Sequence, residues 1–303
     1  MTSDLAFDLA FEPTPGEPVR VSELIRRVVA PNPGPFTFRG TSSYIVGAGR
    51  VAILDPGPDI PSHVEALLDA VRGETVTHVV VSHTHRDHSP AARTIGAATG
   101  APIVGCGPHR SARALGLGEA NPLEASADGE HRPDREMAEG DVIEGPGWRL
   151  AAVETPGHTA NHLCFALPEE GALFSADHVM AWSTSIVAPP DGAMGPYMAS
   201  LEKLRSRSES VYWPGHGGPV RDPGRFVRGL IGHRRAREAS ILKRLASGDR
   251  TIPAIVRATY QGLAPALVGA AGLSVMAHLE DLVGRGLVAT DGPPSLDGTY
   301  RLP

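Results

Sequence analysis

At 303 residues the chain exceeds what one average hydrophobic core supports, so a large domain with a smaller companion is expected. Apolar residues at 41% and charged residues at 20% exclude a disordered, fibrous or coiled-coil chain. Two cysteines, Cys106 and Cys164, exclude a disulfide framework or a cysteine-rich zinc site. The net charge of −6 is shared unevenly: residues 220–303 hold 12 basic and 7 acidic side chains, net +5, and residues 1–219 hold 16 and 27, net −11.

Met1 to Asp4 is acidic and starts no basic-then-apolar leader, so no signal peptide is expected. Tyr44 to Asp55 reads as two short strands around a Gly-Ala-Gly-Arg turn, stopped by Pro56-Gly57-Pro58. Ser62 to Arg72 has apolar residues at 64, 67, 68 and 71, a helical period with Ser62 as cap. Thr77 to Ser82 is a β-branched run suited to a strand buried on both faces. An alanine-rich helix at 91–99 and a strand at 102–104 follow, so the large domain is expected to be α/β. Residues 119–147 are polar and read as an irregular surface excursion.

Strands are expected at Trp148–Glu154, Leu163–Leu167, Ala172–Ser175 and Ser210–Trp213, with a helix at Tyr197–Arg205 before the last. Composition changes near Pro223, which divides the chain into 1–223 and 224–303. The tail reads as a long basic helix from Phe226 to Ala246, helices at 251–260 and 274–285, and two short strands at 286–289 and 298–302, a winged-helix pattern. The most apolar stretch, Leu263 to Met276, is broken by Pro265 and is too short to span a bilayer. A cytoplasmic protein without membrane contact is expected.

The histidines carry the chemistry. Val79-Val80-Val81-Ser82 runs into His83-Thr84-His85-Arg86-Asp87-His88, four ligand-type side chains in six residues at the end of a buried strand. Open α/β sheets place their ligand crevices there. Imidazole with carboxylate suits zinc, manganese or iron. One loop cannot close a coordination shell alone, so further ligands are expected from Pro156-Gly157-His158-Thr159, Ser175-Ala176-Asp177-His178 and Pro214-Gly215-His216-Gly217.

In these motifs, with Leu54-Asp55-Pro56-Gly57, the chain resembles the metallo-β-lactamase fold hydrolases across residues 40–220. The resemblance implies an αβ/βα four-layer sandwich with a cleft for two divalent ions, zinc first and manganese or iron as alternatives. His83, His85 and His158 would hold one ion and Asp87, His88 and His216 the other. Asp177 would bridge them, and Asp55 would orient a ligand imidazole. Five imidazoles and two carboxylates around two divalent ions leave +2, enough to hold a bridging hydroxide near neutral pH. Asp87 would aim that hydroxide and His178 would protonate a leaving group or line the pocket. His162 is expected beside the pocket rather than on a metal. His63, His78, His109, His131, His233 and His278 read as core or surface residues.

The layout is most similar to the β-lactamase-like-2 subgroup, which spans polyketide-releasing thioesterases and a single-strand endoribonuclease. A metal-dependent hydrolase of an acyl thioester or ester is the preferred function. A single-strand endoribonuclease and a mononuclear iron dioxygenase are the alternatives. The +5 tail favours an anionic partner, whether a small-molecule acyl substrate on a coenzyme A or carrier tail, or single-stranded RNA, with Arg234, Arg235 and Arg237 as candidate contacts. A winged helix also serves as a packing module, which keeps a homodimer among the expectations. Ser200-Leu201-Glu202-Lys203 matches the Ser-x-x-Lys of serine β-lactamases without its partner motifs and reads as coincidence.

Overall fold

A computed structural model describes residues 5–116, 121 and 124–303. The reading of Met1 to Asp4 and part of the 119–147 stretch (119–120 and 122–123) lie outside the described residues.

Seven strands form the first sheet in chain order: β1 (Val19–Arg20), β2 (Ile25–Val29), β3 (Ser42–Ala48), β4 (Arg50–Leu54), β5 (Thr75–Val81), β6 (Ile103–Gly105) and β7 (Arg135–Glu136). The β3–β4 hairpin is antiparallel with Ile45 opposite Ile53, and β4 to β7 run parallel. Val79, Val80 and Val81 are wholly buried, as an unbroken β-branched run on a doubly covered strand should be. Helices α1 (Pro61–Ala70) and α2 (Ala91–Thr99) pack on the outer face through Val64, Leu67 and Ile95.

The second sheet has the order β12–β11–β10–β9–β8, with β8 (Val142–Gly145), β9 (Trp148–Glu154), β10 (Leu163–Leu167), β11 (Ala172–Ala176) and β12 (Val211–Pro214). Its inner face contributes Trp148, Phe165 and Phe174 to the core shared with the first sheet. Its outer face packs Cys164, Leu173 and Tyr212 against helices α3 (Met194–Arg205) and α4 (Pro223–Ala246). The four layers are those expected.

The first half of α4 joins this outer core through Val227, Leu230 and Ile231. Its second half, through Ile241 and Leu245, joins a third core with α5 (Ile252–Thr259), α6 (Val268–Gly284) and the hairpin β13 (Ala289–Thr290) and β14 (Tyr300–Arg301). Three helices and a wing are therefore present, and one helix serves both cores.

Several local expectations need correcting. Helix α1 starts at Pro61 after Ile60, not at a Ser62 cap, because proline's fixed φ suits the first helical position. Helix α3 starts at Met194, since Pro196 falls in the first turn, where its missing N–H costs nothing. Helix α6 starts six residues before Ser274, where burial of Ala271 and Val275 overrides the weak propensity of Gly269 and Gly272. The 119–147 stretch is no mere excursion: it supplies β7 and β8, and Asp128 N donates to Thr84 O at 2.8 Å inside the histidine loop. Among the described residues, no helix is long and apolar enough to cross a membrane.

Candidate metal centre

Every expected ligand lies just beyond a strand end on one rim of the sandwich. Asp55 follows β4, the 83–88 run follows β5, His158 follows β9, Asp177 follows β11, and His216 follows β12. Two non-glycine residues there have left-handed backbones, Asp55 (φ 47°) and Ala176 (φ 41°). Such strain costs about 1–3 kcal/mol and persists only where surrounding contacts hold it. Asp55 has those contacts: it accepts Ser82 N at 2.7 Å, Ser82 Oγ at 2.7 Å and His88 Nδ1 at 3.0 Å. Two glycines are required by close approach. A Cβ on Gly215 would stand 2.6 Å from Asp177 Oδ1, and one on Gly157 2.3 Å from Tyr197 Cα.

The expected ligands form two groups. His85 Nδ1 lies 3.1 Å from His83 Nε2 and 3.0 Å from His158 Nε2, and Asp177 Oδ2 lies 3.6 Å from His158 Nε2. In the other group His216 Nε2 lies 3.1 Å from Asp87 Oδ2, 3.4 Å from His88 Nε2 and 3.3 Å from Asp177 Oδ1. Asp177 thus turns one oxygen toward each group.

The hydrogen bonds behind the rings assign their tautomers. Ser82 Oγ spends its proton on Asp55, so it must accept from His83 Nδ1 at 3.0 Å. His88 Nδ1 faces a carboxylate, while His158 Nδ1 faces Ile186 O at 2.6 Å and His216 Nδ1 faces Gly40 O at 3.3 Å. All four must therefore donate through Nδ1. In the neutral rings their Nε2 lone pairs then converge on one another and on two carboxylates, an arrangement that repels itself unless cations lie between. Asp177 Oδ1 is buried without a hydrogen-bond partner, although two imidazoles lie within 3.4 Å. The donor set fits divalent cations of borderline softness.

Electrostatics agree with two halves of different character. Burial, reinforced by His88 and His85, drives His83 well below the usual histidine range. Burial and the neighbouring His158 take His85 to about 3. Both are neutral imidazoles. Burial opposes charge on His216, but Asp177 and Asp87 outweigh it and raise the group to about 9. The same two carboxylates hold His88 well above its ordinary value. Burial likewise opposes ionisation of Asp87 and Asp177, yet the facing imidazoles keep both well below the carboxylate range. This half attracts positive charge, whether protons or metal.

Other expected residues fall elsewhere. The His162 ring packs 5.1 Å from His83 and hydrogen-bonds Thr155 Oγ1 through Nδ1 at 2.8 Å, buried behind the expected ligand His83. His178 is wholly buried, 4.5 Å from the Tyr197 ring, with neither ring nitrogen hydrogen-bonded. Burial lowers it to about 3, so near neutrality it is a neutral imidazole and not an imidazolium acid.

The three arginines on α4 are also engaged within the chain. Arg234 is 3% exposed, Arg235 pairs with Glu202 at 2.9 Å, and Arg237 lies 4.0 Å from the Tyr260 ring centroid. Arg234 cannot be the surface anion contact that was expected. Sequence reasoning missed Ser82 and Thr41, whose Oγ1 lies 3.4 Å from Asp87 Oδ2 while Ser42 N beside it pairs with Gly215 O at 2.7 Å. Ser82 could have been found from its place before His83. Thr41 gave no signal.

The fold and this rim define a class. The sequence profile of the metallo-beta-lactamase superfamily matches residues 36–216, and that of the beta-lactamase associated winged helix domain matches 251–293. The chain belongs to the metallo-beta-lactamase superfamily. It is 31% identical over 235 residues to an atrochrysone carboxyl ACP thioesterase of Aspergillus terreus, covering 76% of this chain and 66% of that relative. It is 28% identical over 265 residues to the lactamase-like protein adaB of Aspergillus niger, covering 80% of this chain and 75% of the relative. A beta-lactamase domain protein from Burkholderia ambifaria shares the fold with a TM-score of 0.78 at 20% identity, over 98% of this chain and 97% of that one.

Proposed function

We propose that the protein is a dinuclear metal-dependent hydrolase, zinc being the expected metal, that cleaves acyl thioesters. The observation that carries this reading is Asp177, whose two oxygens face two separate histidine groups. His83, His85 and His158 would hold one ion, and Asp87, His88 and His216 the other. When bound, the pair supplies Lewis acidity and lowers the pKa of water into the neutral range.

The chain's own residues supply the positioning. Asp87 is the most open of the set, its side chain 26% exposed, so its carboxylate faces incoming substrate and water. Thr41 Oγ1 donates toward its Oδ2 at 3.4 Å and orients it from the inner side. Asp55 locks His88 directly and His83 through Ser82. Among the described residues no thiol nucleophile stands ready: Cys106 and Cys164 are buried, and burial pushes the Cys164 thiol up to about 12.

The thioester leaning is supported by the relative named a carboxyl ACP thioesterase. The burial of Arg234 removes one of the expected RNA contacts from α4. Free cysteines fit a reducing compartment, in keeping with a cytoplasmic location. The test is a panel of acyl thioesters, lactones and single-stranded RNA on metal-stripped and zinc-reloaded protein. Zinc-restored release of free thiol is expected. Cleavage of RNA alone, or thioester cleavage indifferent to metal removal, would overturn the reading.

A further inference from the structure

We infer that Arg234 is a positioning residue that sets His158, tying the winged-helix half of the molecule to one half of the metal centre. Its guanidinium is buried in α4 and has no carboxylate partner among the described residues. One Nη donates to Ser185 O, the other reaches Ser274 Oγ on α6 at 3.5 Å, and the group lies 5.2 Å from the Tyr197 ring centroid. A buried guanidinium is costly to desolvate, and here a carbonyl dipole, a hydroxyl and an aromatic face stand in for an ion pair.

The residue after Ser185 is the one that matters. Ile186 O accepts from His158 Nδ1 at 2.6 Å, which fixes that ring's tautomer and aims Nε2 at the centre. The segment from 177 to 192 forms no helix or strand, and side chains join a few backbone hydrogen bonds in holding it. Ser185 Oγ and Tyr197 Oη both donate to His178 O, at 2.8 and 3.1 Å. Arg234 adds its own donor to Ser185 O. The route runs from Ser274 on α6 through Arg234 to Ser185, Ile186 and His158, while the His88–His216 half leans on Asp55 and Gly40 instead. Loss of Arg234 should therefore weaken one half selectively, as outer partners of metal-bound histidines do by about 10–100-fold.

The inference rests on His158 being a metal ligand, and the test separates the two. Cobalt(II) titration with chelator competition gives two affinities in the parent protein, assigned with His158→Ala and His216→Ala. Arg234→Met should lose about 10–100-fold at the His158 site only. It should also change that site's cobalt absorption and lower kcat toward a short acyl thioester with KM nearly constant. If Arg234→Met does not fold, Arg234→Lys decides, because one ammonium on a shorter stem cannot span Ser185 O and Ser274 Oγ together. A folded variant with both affinities and the cobalt spectrum unchanged, or with equal losses at both sites, overturns the inference. A parent protein that binds no cobalt overturns the metal reading of His158 instead.

Discussion

Asp55 Oδ2 lies 3.0 Å from His88 Nδ1 while the same carboxylate holds the amide and hydroxyl of Ser82, each at 2.7 Å. One buried aspartate at a strained strand end therefore orients an expected ligand from each half of the candidate centre, His88 directly and His83 through Ser82. Asp55→Asn puts an amide nitrogen where one donor must be accepted, and should lower metal affinity and turnover by about 10–100-fold. Metal competition and steady-state kinetics check this, and wild-type affinity at both sites would remove Asp55 from the support of the centre.

Asp177→Ala removes the group that faces both histidine sets, while the apolar cores on either side of the second sheet stay intact. Turnover should fall by at least about 100-fold with the circular dichroism spectrum preserved. A variant with unchanged rate would show that the two halves work without a shared carboxylate.

Stability should fall in mild acid because of histidines buried in neutral form. Burial lowers His63 to about 4 and His278 to about 3, the latter reinforced by Arg234 and Arg237. Both folded values lie below the unfolded 6.5, so their contribution is present above pH 6.5 and is lost as pH falls toward 4 and then 3. Each group adds a slope of up to about 1.4 kcal/mol per pH unit in that window. Urea unfolding from pH 7 to 4 should show the decline, and His278→Leu should flatten it by about one such slope. An unchanged slope would mean that His278 does not titrate on unfolding.

The layered sandwich was legible, and so was the clustering of the seven expected ligand residues, because each follows an apolar strand within a short polar motif. The supporting shell was less so. Ile186 O and Gly40 O act through the backbone, and Thr41 reaches Asp87 only because residues 40–42 pair with 215–216. Charge counting misplaced Arg234, although its spacing of seven from both Val227 and Ile241 puts it on the apolar face of α4. Trp182 escaped notice altogether, yet it stacks on Phe38 with ring centroids 4.8 Å apart. That pairing joins two loops far apart in sequence.

The surface charge of α4 should matter little to a small substrate. Arg235 is paired with Glu202 in an exposed ion pair, of a kind worth about 0–1 kcal/mol. Arg235→Gln should leave kcat/KM for a neutral acyl thioester within about twofold. Binding of single-stranded RNA that weakens in Arg235→Gln, with a salt slope reduced by about one, would revive the nuclease reading.

Metal content is the most direct test of a two-ion centre split across Asp177. Elemental analysis of protein purified without added chelator should give about two divalent ions per chain, zinc foremost. Thioester cleavage should be lost on stripping and regained as the second equivalent is added. One iron per chain with no second ion, and activity complete at that single equivalent, would contradict it.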